Sequence, residues 1–127
     1  MILAVDFDGT IVKDDYPFIG EERPGAVATL RKLRGEGYTL ILWTCRTGQH
    51  LAEAVKWCAD RGVRFDAINA SLRSEIMRYG SDTLKIGASI YIDDRGVAKL
   101  PEWDELYDII HDRVPTYADK VAREGWL

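Results

Sequence analysis

Two acidic pairs carry most of the chemistry that this sequence offers. Asp6 and Asp8 follow the apolar run Ile2–Val5, and Asp93 and Asp94 follow Ser89–Ile92. Thr44, Cys45 and Arg46 end a further apolar run, and Lys85 lies just before Ser89–Ile92. Ligands of open parallel α/β sheets bind beyond the carboxyl ends of the strands. If these runs are strands, four carboxylates, a hydroxyl and two cations gather at one sheet edge. Carboxylates brought together repel one another unless a cation lies between them. Aspartate offers only oxygen, which suits a hard divalent ion, Mg²⁺ before others, shared with waters and a substrate phosphate. A lone Asp at a strand end is commonly a turn former or a helix cap. Two pairs closing two buried strands point to a site built from Asp6, Asp8, Asp93 and Asp94.

The elements that must position these residues alternate between strand and helix patterns. Ile2–Val5, Thr39–Trp43, Phe65–Ile68 and Ser89–Ile92 read as short strands, the first two continuous enough to be buried on both faces. Pro24 opens a helix whose Val27, Leu30 and Leu33 share a face, and Gly35 and Gly37 close it. Leu51, Val55 and Cys58 mark a second helix stopped by Gly62, and Leu72–Tyr79 a short third stopped by Gly80. Trp103, Leu106, Ile110 and Val114 line a fourth, ended by Pro115. The tail from Thr116 to Leu127 stays open: Tyr117, Val121 and Trp126 can pack on the domain or on a second subunit. Alternation of this kind predicts an α/β fold with one doubly wound parallel sheet flanked by helices.

Composition narrows the classes of function. The chain has 127 residues, enough for one domain with a core of its own. A net charge of −4 argues against non-specific nucleic-acid binding. No apolar run approaches the roughly 20 residues of a membrane span, and the start shows no signal-peptide pattern, so a cytoplasmic, mature protein is expected. Cys45 and Cys58 form no CxxC pair and read as reduced, buried or half-buried thiols. His50 and His111 have no evident partner and read as surface or cap histidines.

Asp6-Phe7-Asp8-Gly9-Thr10 after a buried strand resembles the first motif of the haloacid-dehalogenase-like (HAD) superfamily of phosphotransferases. Thr44, Lys85 and Asp93-Asp94 resemble its later motifs in the right order, so the likeness runs from Met1 to about Arg95. The resemblance implies a Rossmann-like HAD core over 1–127 and an Mg²⁺-dependent phosphatase acting on a phosphate monoester. Asp6 would be the nucleophile, forming an aspartyl-phosphate, and Asp8 the general acid and base. Thr44 would bind a phosphoryl oxygen, and Lys85 would offset the charge on Asp6. Asp93 would bind the metal with Asp6 and the main-chain carbonyl of Asp8, and Asp94 would act through water or by holding Lys85. A solvated role for Lys85 stays open, with Arg73 and Arg78 as alternative cations. Arg46 either clamps a second anionic group of the substrate or makes a structural salt bridge. Gly9 and Cys45 belong to the loops that would bring backbone N–H groups to the phosphate.

Members of that superfamily commonly carry a cap domain, and this sequence has no room for one. The loop Lys13–Arg23 is short, and residues 45–84 are used by core elements. A capless core leaves the site open to water. A neighbouring subunit can cover it, or a phosphorylated macromolecule can do so in place of a small phosphorylated substrate. Tyr16, Phe18 and Ile19 offer either a substrate wall or core contacts. Two rival readings exist: a two-component receiver, whose phosphoacceptor would have to be Asp60 or Asp66, and a non-catalytic HAD-like binding module. The order of the acidic residues disfavours the first, and the complete set of side chains the second.

Overall fold

A computed structural model describes residues 1–125. Four strands form one parallel sheet, in the order β3-β2-β1-β4: β1 (Ile2–Val5), β2 (Thr39–Leu42), β3 (Ala67–Ile68) and β4 (Ile90–Ile92). The helices are α1 (Ala26–Gly35), α2 (Gly48–Asp60), α3 (Arg73–Tyr79), α4 (Trp103–Arg113) and α5 (Tyr117–Arg123). The α/β fold expected from the alternation is present, with no cap domain among the described residues. None of these helices is long and apolar enough to cross a membrane.

The two faces of the sheet are unequal. Leu3, Val5, Leu40, Leu42, Ile90 and Ile92 point to a face packed by α1, α2 and α4. The other face buries only Ala4, Ile41 and Ile86, with Leu72, at the start of α3, and Ala88 against them. Trp103 of α4 is fully buried in the larger core. Complete burial of an indole is favourable only if its N–H finds an acceptor, and Nε1 donates to the Thr10 carbonyl at 2.9 Å.

Helices and strands fall close to their expected places, with informative differences. β3 covers only the last two residues of Phe65–Ile68. There the Asp66 carboxylate replaces part of the ladder, accepting the Leu40 N–H at 3.0 Å and a two-pronged bond from Arg34 at 2.7 and 3.0 Å. Arg34 holds the Asp66 carboxyl below its usual range. Asp66 is thus a structural residue. The tail forms α5, whose Val121 is buried against the domain while Tyr117 stays exposed; Trp126 lies outside the described residues.

His111 departs from its surface reading. Its Nδ1 lies 2.6 Å from Asp119 and its Nε2 3.1 Å from Glu36, which fastens α5 to α4 and to the end of α1. Burial pulls this imidazole down, but the bonds to Asp119 and Glu36 outweigh it and raise its pKa above 6.5. Cys58 is buried and its thiol is pushed up to about 12 by burial, whereas Cys45 is exposed, unlike the expectation for both thiols.

Candidate active site

β1 is central, with β2 on one side and β4 on the other, so crossovers leave it in two directions. The carboxyl edge beside it is where such sheets bind ligands. The Asp6 N–H donates to the Ile92 carbonyl at 2.9 Å, locking the first acidic segment to the end of β4. The chain then turns tightly, with the Phe7 carbonyl accepting from the N–H groups of Thr10 and Ile11 at 3.1 and 2.9 Å. Residues 11–13 run back against 21–23 as a small flap: the Arg23 N–H donates to the Ile11 carbonyl, and the Lys13 N–H to Glu21.

Thr10 is buried and knots this turn together. Its hydroxyl donates to Asp6 Oδ2 at 3.0 Å and accepts the Asp94 N–H at 3.1 Å. Gly9 at φ +85° makes room for Asp94: a Cβ there would lie 2.1 Å from Asp94 Oδ2. Only a residue without a side chain fits both the left-handed backbone and that approach.

Asp6, Asp93 and Asp94 each present a ligand atom, all within 4.8 Å of one another. The Asp94 Oδ1 atom is buried and has no hydrogen-bond partner. Among the described residues no Lys, Arg or His forms a salt bridge with any of the three. Burial, followed by a bond to Asp94 and the charge of Asp93, pushes the Asp6 carboxyl up from 3.8 to about 8, against the opposing bond from Thr10. An all-oxygen set with an orphaned acceptor fits a hard divalent cation, which would restore charge balance.

The Asp8 side chain is not part of this cluster, unlike the reading of four carboxylates around one cation; the resemblance gives the metal only the main-chain carbonyl of Asp8. Both its oxygens are taken by Arg46, Nε to Oδ2 and Nη2 to Oδ1, each at 2.7 Å. Arg46 is only 1% exposed, so of its two readings the structural salt bridge is the one formed.

The carboxylates open into a cavity of about 640 Å³. Asp6, Asp8, Asp93, Tyr16, Trp43, Cys45, Arg46 and Arg95 are among the residues that line it. Thr44 also faces it. The Thr44 N–H is held by Asn69 Oδ1 at 2.8 Å, and its hydroxyl oxygen accepts the Arg46 N–H at 3.1 Å, so the hydroxyl proton remains available to a ligand. Phe18 and Ile19 do not line the cavity: Phe18 is 72% exposed and Ile19 packs on the core.

Lys85 is not brought to the cluster. It precedes β4, is exposed, and its ammonium lies 5.2 Å from the ring of Tyr91, in the middle of that strand. The acidic edge is at the strand's other end, after Ile92. Arg73 and Arg78, both in α3, do not line the cavity either. Arg95 does, and it follows the second acidic pair directly. Thr10 and Asn69 were not singled out in the sequence as site residues. Thr10 was visible only as the fifth residue of Asp6–Thr10. Asn69 left a fainter trace, a polar residue directly after a strand, here in the left-handed region at φ +50°.

No family model matches the chain, and no curated protein does. A solved structure of a conserved protein from Bacteroides thetaiotaomicron is similar, with 45% sequence identity over 94% of this chain and 96% of that one. The two folds superpose with a TM-score of 0.82. At that identity and mutual coverage, the chain belongs to the same family as this conserved Bacteroides protein.

Proposed function

We propose that the protein is an Mg²⁺-dependent phosphatase of the HAD-like type, hydrolysing a phosphate monoester through an aspartyl-phosphate on Asp6. The observation that carries this reading is the convergence of Asp6, Asp93 and Asp94 within 4.8 Å at the carboxyl edge, with Asp94 Oδ1 buried and unpaired. Asp6, Asp93 and Asp94 would hold the metal, which supplies charge neutralisation for the nucleophile and the phosphoryl group.

Asp6 attacks phosphorus, forming a P–O bond as the ester P–O bond breaks with its electron pair. Asp8 delivers a proton to the leaving oxygen, then takes one from the water that attacks the acyl-phosphate and releases Asp6. Each Asp8 oxygen keeps a lone pair beyond the one used by Arg46, with which it can face the leaving oxygen or the attacking water. Thr10 holds one Asp6 oxygen at 3.0 Å and fixes the aim of the nucleophile. Thr44 donates to a non-transferring phosphoryl oxygen, and Arg95 offers a cation to the cavity it lines. No cap domain covers the site among the described residues; a small phosphorylated compound is the first substrate class and a phosphorylated macromolecule the second.

The test is hydrolysis of para-nitrophenyl phosphate and of a phosphorylated-metabolite panel. Release of phosphate with Mg²⁺, its loss with EDTA and its loss in Asp6→Asn are expected. Turnover that survives EDTA or Asp6→Asn refutes the proposal.

A further inference from the structure

Arg46 is the most buried charged side chain in the described structure, at 1% exposure. Its planar fork has five N–H donors. Nε and Nη2 bind the two Asp8 oxygens, Nη2 also donates to the Phe18 carbonyl at 2.9 Å, and Nη1 donates to the carbonyls of Pro17 and His50 at 3.3 and 3.2 Å. Every donor is therefore spent inside the protein. The rings of Phe7 and Tyr16 lie 5.2 and 5.1 Å from the guanidinium carbon. Three segments meet on one side chain: the turn carrying Asp8, the flap at Tyr16–Phe18 and the first turn of α2.

We infer that Arg46 is a positioning residue, which aims the Asp8 carboxylate and latches the Tyr16–Phe18 flap to it, without itself holding substrate. Among the described residues Asp8 is the only side chain with which the guanidinium forms a salt bridge, so the orientation of that carboxylate is set from the loop between β2 and α2. The same guanidinium holds two consecutive flap carbonyls, so the cavity wall at Tyr16 and the proton-transferring group at Asp8 move as one piece. Lysine cannot replace this, since one ammonium cannot match the planar fork or reach all the carbonyls. The catalytic part of the inference rests on the phosphatase reading; the latch does not.

The experiment compares Arg46→Gln and Arg46→Lys with a core variant, Leu33→Ala, as a control for lost stability. Steady-state phosphate release with para-nitrophenyl phosphate and Mg²⁺ is measured beside hydrogen exchange at the amides of Tyr16, Phe18 and Ile19. Arg46→Gln is expected to lower kcat by about 100-fold with KM within about threefold. Arg46→Lys should recover part of that loss, both Arg46 variants should exchange the flap amides roughly tenfold faster, and Leu33→Ala should leave kcat and the flap unchanged. If Arg46→Lys folds and Arg46→Gln does not, the lysine variant alone is read in the same way. A raised KM at constant kcat overturns the inference in favour of a substrate clamp, and an unchanged kcat reduces Arg46 to a structural role. If the wild-type protein hydrolyses no phosphate ester, the phosphatase reading falls, and the exchange measurement decides the latch by itself: unchanged flap exchange in Arg46→Lys overturns it.

Discussion

Replacing Asp6 by Asn removes a charge and keeps the shape, and its effect on stability follows from the acidic cluster. With no cation among these acids, the Asp6 carboxyl titrates near 8 rather than 3.8, through burial first and then Asp94 and Asp93. An acid whose pKa is raised by folding favours the native state least when it must ionise, so stability is lost as pH climbs from 3.8 to about 8. At neutral pH the deficit is at most about 4 kcal/mol, at 1.36 kcal/mol for each pH decade crossed. The cavity wets one side of the cluster, and solvent screening leaves about 2 kcal/mol. An unfolding entropy of roughly 2.1 cal/mol/K per residue over 127 residues turns this into a melting temperature about 7 °C higher for Asp6→Asn in EDTA. If Mg²⁺ is the ion these acids hold, saturation at about 100 times its Kd should stabilise the wild type by about 2.7 kcal/mol and offset that deficit. The variant, one ligand short, gains less. Thermal unfolding followed by circular dichroism, in EDTA and in excess Mg²⁺, measures both. An Asp6→Asn protein that melts at or below the wild type in EDTA, or that gains as much from Mg²⁺, refutes the reasoning.

Other perturbations test neighbouring parts of the structure. Gly9→Ala drives a Cβ to within 2.1 Å of Asp94 Oδ2, so phosphate release should fall by about 100-fold even if the fold survives, as steady-state assays will show. Trp103→Phe deletes the bond to the Thr10 carbonyl, and urea unfolding should register a loss of about 2 kcal/mol with an unchanged m-value. His111→Gln addresses the α5 anchor: the raised imidazole pKa contributes stability that is fully present below 6.5 and lost as pH rises through the folded value. Its cost should be about 1 kcal/mol near pH 6 and smaller near pH 9, measured by melting at both. An equal cost at the two pH values would show that His111 acts only by packing.

What the sequence disclosed depended on whether a residue's task is local. The parallel sheet, its four strands and the edge holding Asp6, Asp93 and Asp94 followed from apolar runs and from what ends them, whereas the strand order did not. Period and turn chemistry are short-range signals, and they survive in a single chain. The partnership of Asp8 with Arg46 spans 38 positions, and nothing in the spacing distinguishes a clamp for substrate from a strut for the protein. Lys85 was placed by order in the chain, but order does not say which end of β4 a neighbouring side chain will serve. The anchoring role of His111 is hidden for the same reason, since its acids lie just after α1 and on α5. Asn69 acts through one hydrogen bond to the Thr44 backbone and Thr10 through bonds to Asp6, Asp94 and Trp103, roles that composition does not mark.

Thr10 joins parts of the molecule that the chain keeps far apart. Through its hydroxyl it touches Asp6 and the Asp94 backbone, and through its carbonyl it holds Trp103 of α4. The acidic edge and the C-terminal half therefore belong to one cooperative unit, and neither can open alone without breaking bonds at a fully buried residue. Shortening the chain before α4 would disperse the carboxylates while leaving every one of them in the sequence. Substitutions are then best tolerated around α3, where the sheet's thinner face lies, while the turn under the acidic edge stays fixed.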